Sequence, residues 1–112
     1  MTALLNENCA PLDVKSEPIS ETDIKEFLPQ IPDWQITSVD GIPRLKRTFK
    51  FSNFLGALKF TNTVGELAEE QGHHPLITLT WGQATVEWWT HDIGGLHLND
   101  FIMAAKTDIL YR

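Results

Sequence analysis

The stretch Glu69-Glu70-Gln71-Gly72-His73-His74-Pro75 divides a helical hydrophobic pattern from a strand pattern. Before it, Phe54, Leu55, Leu58, Thr61, Gly65 and Ala68 recur on one side at helical spacing, with Val64 and Leu67 widening the stripe. A helix is therefore expected from about Asn53 to Gln71, capped by Ser52 or Asn53. So wide a stripe suggests a second packing partner, such as another subunit. Gly65 inside that helix costs about 1 kcal/mol relative to Ala and suggests close packing there. Gly72 suits the left-handed residue that ends a helix, and Pro75 forbids continuation. After the divide, Pro75–Thr80 and Ala84–Thr90 read as a hairpin around Trp81-Gly82-Gln83. Ile77, Leu79, Val86 and Trp88 are its candidates for the packed face.

Upstream, residues 1–18 have no periodicity and read as a flexible arm, leaving a single domain over 19–112. Ser20 is a good N-cap, and Asp23 stands where a capping-box acid belongs. Ile24, Phe27 and Leu28 form a short buried stripe that Pro29 ends. Trp34–Val39 and about Arg44–Phe49 read as strands joined by Asp40-Gly41, a strong hairpin turn. Leu45 and Phe49 should face inward, with Lys46, Thr48 and Lys50 facing outward. Downstream, Gly94-Gly95 is a loop, and Asn99 or Asp100 opens a last helix with Phe101, Ile102, Ala105 and Ile109 on its stripe. Asp100 in the first turn suits the helix dipole. The expected fold is α+β: a four-stranded antiparallel sheet made of two hairpins, with three helices on one face, in the order α-ββ-α-ββ-α.

The chain has 112 residues, 42% hydrophobic and 21% charged, with a formal net charge of −6 and a pI near 5.0. An acidic balance argues against direct nucleic-acid binding, which calls for a basic face. Cys9 is the only cysteine, so no intrachain disulfide is possible. No apolar run approaches the roughly 18 residues of a membrane helix. The first 18 residues resemble neither a signal peptide nor a transit peptide. A cytoplasmic protein is expected.

His73, His74 and His91 are three of the four histidines. Gly82 lies midway in number between His73 and His91. A turn centred on it would set those two across from each other, about 5 Å apart. Glu69 precedes His73 by four residues, but Gly72 breaks the helix between them. Three readings of the cluster stand side by side. Two imidazoles in one cleft can donate and accept protons in turn. Three could hold a metal ion, as in a metal-dependent hydrolase, although no helical His-x₃-His spacing supports it. Or the residues are simply polar groups at a helix-to-strand corner.

Glu69-x₃-His73-His74-Pro75, followed after five residues by Trp81, after nine more by His91 and after eight more by Asp100, resembles the signature of the pterin-4a-carbinolamine dehydratases. The resemblance runs from about Ile19 to the C-terminus and takes in Trp34 and Gly95-Leu96. It implies a hydro-lyase that removes water from a 4a-hydroxy-tetrahydropterin to give the quinonoid dihydropterin, with no metal and no cofactor. It implies His73 and His91 as the acid/base pair, and His74 and Pro75 as groups that hold the pterin. Trp81 and Trp34 become candidate flat surfaces near or beneath the site, or plain packing groups; with Pro75 and Trp81, Asp100 and Glu69 are candidate substrate-binding residues, each able to orient a histidine or merely to stabilise its helix. The family also implies a homodimer or homotetramer bundled through long helices. Some relatives are binding proteins instead, acting as a transcription-factor dimerisation cofactor or as Rubisco assembly factors. The assembly-factor relatives have lost parts of the histidine motif, which this chain keeps in full. One departure stands out. The family often carries Ser or Thr after Gly-Leu as the last helix cap, whereas this chain has His97, expected here to be a solvated loop residue with the cap moved to Asn99.

Overall fold

The structure is a computed structural model and describes residues 3–10 and 17–111. Its elements are α1 (Glu21–Phe27), β1 (Gln35–Val39), β2 (Ile42–Lys50), α2 (Phe54–Gln71), β3 (Leu76–Thr80), β4 (Gln83–Trp88) and α3 (Leu98–Leu110). The four strands form one antiparallel sheet in the order β1-β2-β4-β3. This is the α-ββ-α-ββ-α arrangement that the two hairpins imply.

The local signals act where they stand in the chain. Ser20 Oγ accepts the Asp23 N–H at 3.1 Å to open α1. Asp40 (φ 53°) and Gly41 (φ 79°) are both left-handed, as a type I′ turn needs. Asn53 Oδ1 accepts the Gly56 N–H at 2.8 Å to open α2. At its far end Gly72 is left-handed, and the His73 N–H closes on the Ala68 carbonyl at 3.2 Å.

Leu45 and Phe49 of β2 and Ala84, Val86 and Trp88 of β4 form the wholly buried face of the sheet. They pack against Phe60, Val64 and Ala68 of α2 and Phe101–Ala105 of α3. A fully buried large apolar side chain contributes about 1.5–3 kcal/mol, so Trp88, Phe49, Phe101, Leu45 and Ile102 anchor the two layers. Phe60 sits in an aromatic group, its ring centroid 4.6 Å from Phe49 and 5.3 Å from Phe51.

Three expectations need correction. The α2 stripe divides in two. Ala57, Phe60, Val64 and Ala68 face the core, whereas Phe54 (43% exposed) and Leu55 (56%) face outward, with Leu58, Thr61 and Gly65 half-buried between. Periodicity locates an apolar arc but not which part of it meets the chain's own sheet. A Cβ on Gly65 would meet nothing within 4 Å, so this chain's own packing does not demand glycine there.

The second hairpin is tighter than expected. Thr80 pairs with Gln83, so the turn is Trp81-Gly82 alone, with positive φ at Gly82 (75°). The Phe51 N–H donates to the Gly82 carbonyl at 2.8 Å and fixes that turn to the end of β2. The ladder is therefore one residue out from a Gly82-centred one, and its continuation sets Thr90, not His91, against His73.

Part of the supposed arm is packed: Leu4 is fully buried and belongs to the core cluster. Residues 1–2 and 11–16 of the expected arm lie outside the described residues.

Candidate active site

Helix α2 ends in a left-handed turn and delivers His73 at the mouth of the β3–β4 hairpin, where the start of α3 meets it. His73 is 8% exposed. Its ring stacks on Trp88 at 5.8 Å between centroids, with 9° between planes. Its Nε2 lies 2.6 Å from Asp100 Oδ1. Asp100 is wholly buried, and its other oxygen, Oδ2, accepts from Thr90 Oγ at 2.9 Å and from the His97 N–H at 2.9 Å.

Asp100 thus orients a histidine and caps a helix at once, one carboxylate oxygen for each task. A carboxylate only accepts, so opposite one Nε2 of His73 is the donor. In the neutral imidazole Nδ1 is then the basic nitrogen, and it has no hydrogen-bond partner among the described residues. Stacked on one side and anchored at one nitrogen, the ring presents the other in a fixed direction.

His97 is the N-cap of α3 and not a solvated loop residue. Its Nδ1 accepts the Asn99 N–H at 3.0 Å, while its own N–H donates to Asp100. An imidazole nitrogen with a lone pair can stand in for the usual hydroxyl or carboxylate oxygen. Burial lowers the His97 pKa from its ordinary value; the Asp100 charge opposes the shift and nearby His73 adds to it. The neutral form that the cap requires is the one favoured.

A shallow cavity of about 230 Å³ is lined by Gly72, His73, His74, Trp89, Thr90, His91 and Asp92. It brings together the three histidines that sequence spacing selects. His91 is exposed and lies in the turn after β4, its ring 4.6 Å from that of Trp89. His74 is exposed at the rim and pairs with Glu69, Nε2 to Oε1, at 2.5 Å. Glu69 therefore reaches past the helix end to His74, not His73. Pro75 follows directly and starts the turn into β3, without lining the cavity. The histidines do not converge on one point: among the described residues no three His, Cys, Asp or Glu side chains are arranged to hold a metal ion.

The two tryptophans chosen from sequence lie elsewhere. Trp81 is 70% exposed at the tip of the hairpin, at the opposite end of β3 from His73. Trp34 is buried at the far end of α3, where Nε1 donates to Asp108 Oδ1 at 2.8 Å. The aromatics that do border the site are Trp88 and Trp89. Trp88 lies in the core beneath His73. Trp89 is stacked under the Arg44 guanidinium at 3.7 Å, and Arg44 is 3.4 Å from the buried Glu87. The strand alternation that sends Trp88 inward sends Trp89 to the other face. Thr90 was not singled out from sequence, although its place next to His91 is the signal that could have found it. A larger polar hollow of about 460 Å³ at the β1–β2 edge, lined by Asp33, Gln35, Thr37, Lys46, Arg47 and Thr48, holds no histidine. Among the described residues no helix is long and apolar enough to cross a membrane.

The family model described as pterin 4 alpha carbinolamine dehydratase matches residues 17–110. A Microcystis aeruginosa protein named "Putative pterin-4-alpha-carbinolamine dehydratase" is 54% identical over 100% of this chain and 97% of its own length. A Syntrophotalea carbinolica protein of the same name is 54% identical over 98% of each. Among solved structures, a Brucella melitensis protein described as a transcriptional coactivator/pterin dehydratase superposes with a TM-score of 0.76 at 29% identity, covering 86% of this chain and 100% of that one. A pterin dehydratase-like protein described as a RuBisCO assembly factor of the alpha-carboxysome shares the fold at a TM-score of 0.60 and 22% identity, covering 70% of this chain and 89% of its own. With most of its length matched by the family model and full-length relatives at about half identity, the chain belongs to the pterin-4-alpha-carbinolamine dehydratase family.

Proposed function

We propose that residues 19–112 form a working 4a-hydroxytetrahydrobiopterin dehydratase, a hydro-lyase that gives the quinonoid dihydropterin by histidine acid/base catalysis. The observation that carries this reading is the buried His73–Asp100 pair at a cavity that His73, His74 and His91 line together. In the reaction the C4a–O bond breaks, and the hydroxyl leaves as water with a proton from an acid. N5 gives its proton to a base, and its electron pair completes the C4a=N5 double bond. Only two proton transfers are needed, so the elimination runs without a redox cofactor. His73, held by Asp100, and His91, across the cavity, are the proton-transfer groups. His74, steadied by Glu69, stands at the rim that receives the pterin, and Pro75 behind it fixes the backbone that carries it.

The protein acts as a homodimer or homotetramer. Support comes from the outward half of the α2 stripe, where Phe54 and Leu55 stand exposed in the single chain. A cytoplasmic setting agrees with a lone half-buried cysteine, and a net charge of −6 speaks against a direct nucleic-acid partner.

The test is dehydration of synthetic 4a-hydroxy-tetrahydropterin by the purified protein, with and without chelator, beside His73→Ala and His91→Ala. Turnover that survives chelator and falls by about 10²-fold or more in folded variants is expected. A folded wild type with no acceleration overturns the enzyme reading. It would leave a binding role, of the kind named for the RuBisCO assembly factor, to be sought by partner capture.

A further inference from the structure

Residues 4–10 run across the seam between the end of α2 and the start of α3. Leu4 is buried, and its N–H donates to Gln30 Oε1 at 2.9 Å. Lys106 Nζ donates to the Leu5 carbonyl at 3.2 Å. Beyond these anchors, two adjacent residues are gripped by two different helices. The Cys9 N–H donates to Gln71 Oε1 at 2.9 Å, and Gln71 Nε2 donates to Asn8 Oδ1 at 3.2 Å. The Ala10 N–H donates to Asn99 Oδ1 at 3.0 Å, and Asn99 Nδ2 donates back to the Ala10 carbonyl at 2.9 Å. The Asn99 amide thus satisfies the main chain of Ala10 as a neighbouring strand would.

Gln71 is the last residue of α2, two before His73. Asn99 lies directly before Asp100. A single short stretch therefore ties together the two backbones whose separation sets the His73–Asp100 contact.

We propose that Leu4–Ala10 is a strap that holds the His73–Asp100 pair in register, with Gln71 and Asn99 as positioning residues. Asn99 is 2% exposed with its amide spent on Ala10, so releasing the strap removes both of those bonds and the cover over the first turn of α3, which is then free to rearrange. That turn carries Asp100. The strap lies outside the family match, which begins at residue 17. Its use here rests on the reading of His73 as a proton-transfer group, so the test includes a readout that needs no turnover.

Cys9 supplies a reporter of docking. Its Sγ lies 3.9 Å from the Asn99 carbonyl. Burial, with the Asp100 charge adding, pushes its thiol up to about 11, so the docked thiol reacts slowly. As the only cysteine it is labelled without interference.

The experiment compares the wild type, Gln71→Ala and a chain lacking residues 1–10. It measures Cys9 alkylation where Cys9 is present, the ¹⁵N shifts of the His73 ring, and kcat and KM for 4a-hydroxy-tetrahydropterin. Gln71→Ala removes both Gln71 bonds and should speed alkylation roughly tenfold, the factor expected for one or two lost hydrogen bonds. Both variants should move the His73 ring shifts. Both should lower kcat by about tenfold or more, with KM held within about twofold, as loss of alignment does. The Gln71→Glu variant, which keeps an acceptor for the Cys9 N–H, should recover most of the loss.

Fast Cys9 labelling with wild-type His73 shifts overturns the proposal and leaves the segment as packing alone. So does a deletion that folds with unchanged shifts. A deletion that cannot fold, beside a Gln71→Ala chain unchanged in every readout, also overturns it. An inactive wild type whose His73 shifts still move on strap release would sink the dehydratase reading and leave the strap standing.

Discussion

Asp100→Asn changes one atom and should disable the site without dismantling the helix that carries it. In the wild type Oδ2 receives two donors, Thr90 Oγ and the His97 N–H, each at 2.9 Å, while Oδ1 meets His73 Nε2 at 2.6 Å. An asparagine has one oxygen. Placed at Oδ2 it keeps both donors satisfied and preserves the cap of α3. The NH₂ group then faces His73 Nε2, so two donors oppose each other unless the imidazole moves its proton to Nδ1. Placed the other way, the amide opposes the His97 N–H, a backbone donor that has no other tautomer to adopt, which is the worse arrangement. The expected variant therefore folds, with His73 held in the opposite tautomer. The lost charge-assisted bond costs about 1.5–3 kcal/mol of stability. With Nδ1 protonated and Nε2 held by the amide, the ring has lost its free basic nitrogen, so kcat should fall by roughly 10²–10⁴-fold, the usual worth of a positioned acid or base. KM should change little, since Asp100 does not line the cavity. The assay pairs steady-state kinetics with ¹⁵N shifts of the His73 ring, which report the tautomer directly. A folded Asp100→Asn protein with near wild-type kcat and Nε2 still protonated would refute the reasoning.

Further outcomes follow from the same geometry. Trp81→Ala, at a hairpin tip 70% exposed, should leave turnover within about twofold and stability within roughly 0.5 kcal/mol; a large rise in KM would mean that a second chain brings this residue to a site. The lowered His97 pKa gives stability a definite pH dependence. Between its folded value and the ordinary 6.5 the unfolded chain binds more protons, so stability is full above pH 6.5 and declines as pH falls through that window. His97→Asn keeps a cap that cannot titrate, so its Tm should drop less than that of the wild type between pH 7.5 and pH 5.5; equal drops would refute the role. Leu55→Glu places a charge on the outward stripe of α2 and should shift the sedimenting species toward monomer with the fold intact; an unchanged oligomer would locate the contact elsewhere.

Sequence alone determined the element order, because each boundary carries its own local chemistry. Ser20 and Asn53 are caps, Asp40-Gly41 is a turn, and Gly72 followed by Pro75 ends a helix in a way no neighbour can reverse. The alternation of Leu45 and Phe49 with Lys46, Thr48 and Lys50 sufficed to orient β2, since a strand has only two faces. The spacing of His73, His74 and His91 was enough to gather them at one hairpin mouth even though the ladder register was off by one. Which partner each histidine takes was decided by tertiary structure. Nothing local tells Glu69 to reach His74, or gives the two oxygens of Asp100 to His73 and to the cap of α3. Those choices depend on where α3 lands against the sheet, some 27 residues along the chain from His73. The phase of the α2 stripe was likewise settled by the ring cluster around Phe60, and the exposure of Trp81 by a two-residue turn pinned to Phe51. A helix has a continuous circumference, and a side chain at a loop has many neighbours in reach. Periodicity narrows those choices, and only the packed layers make them.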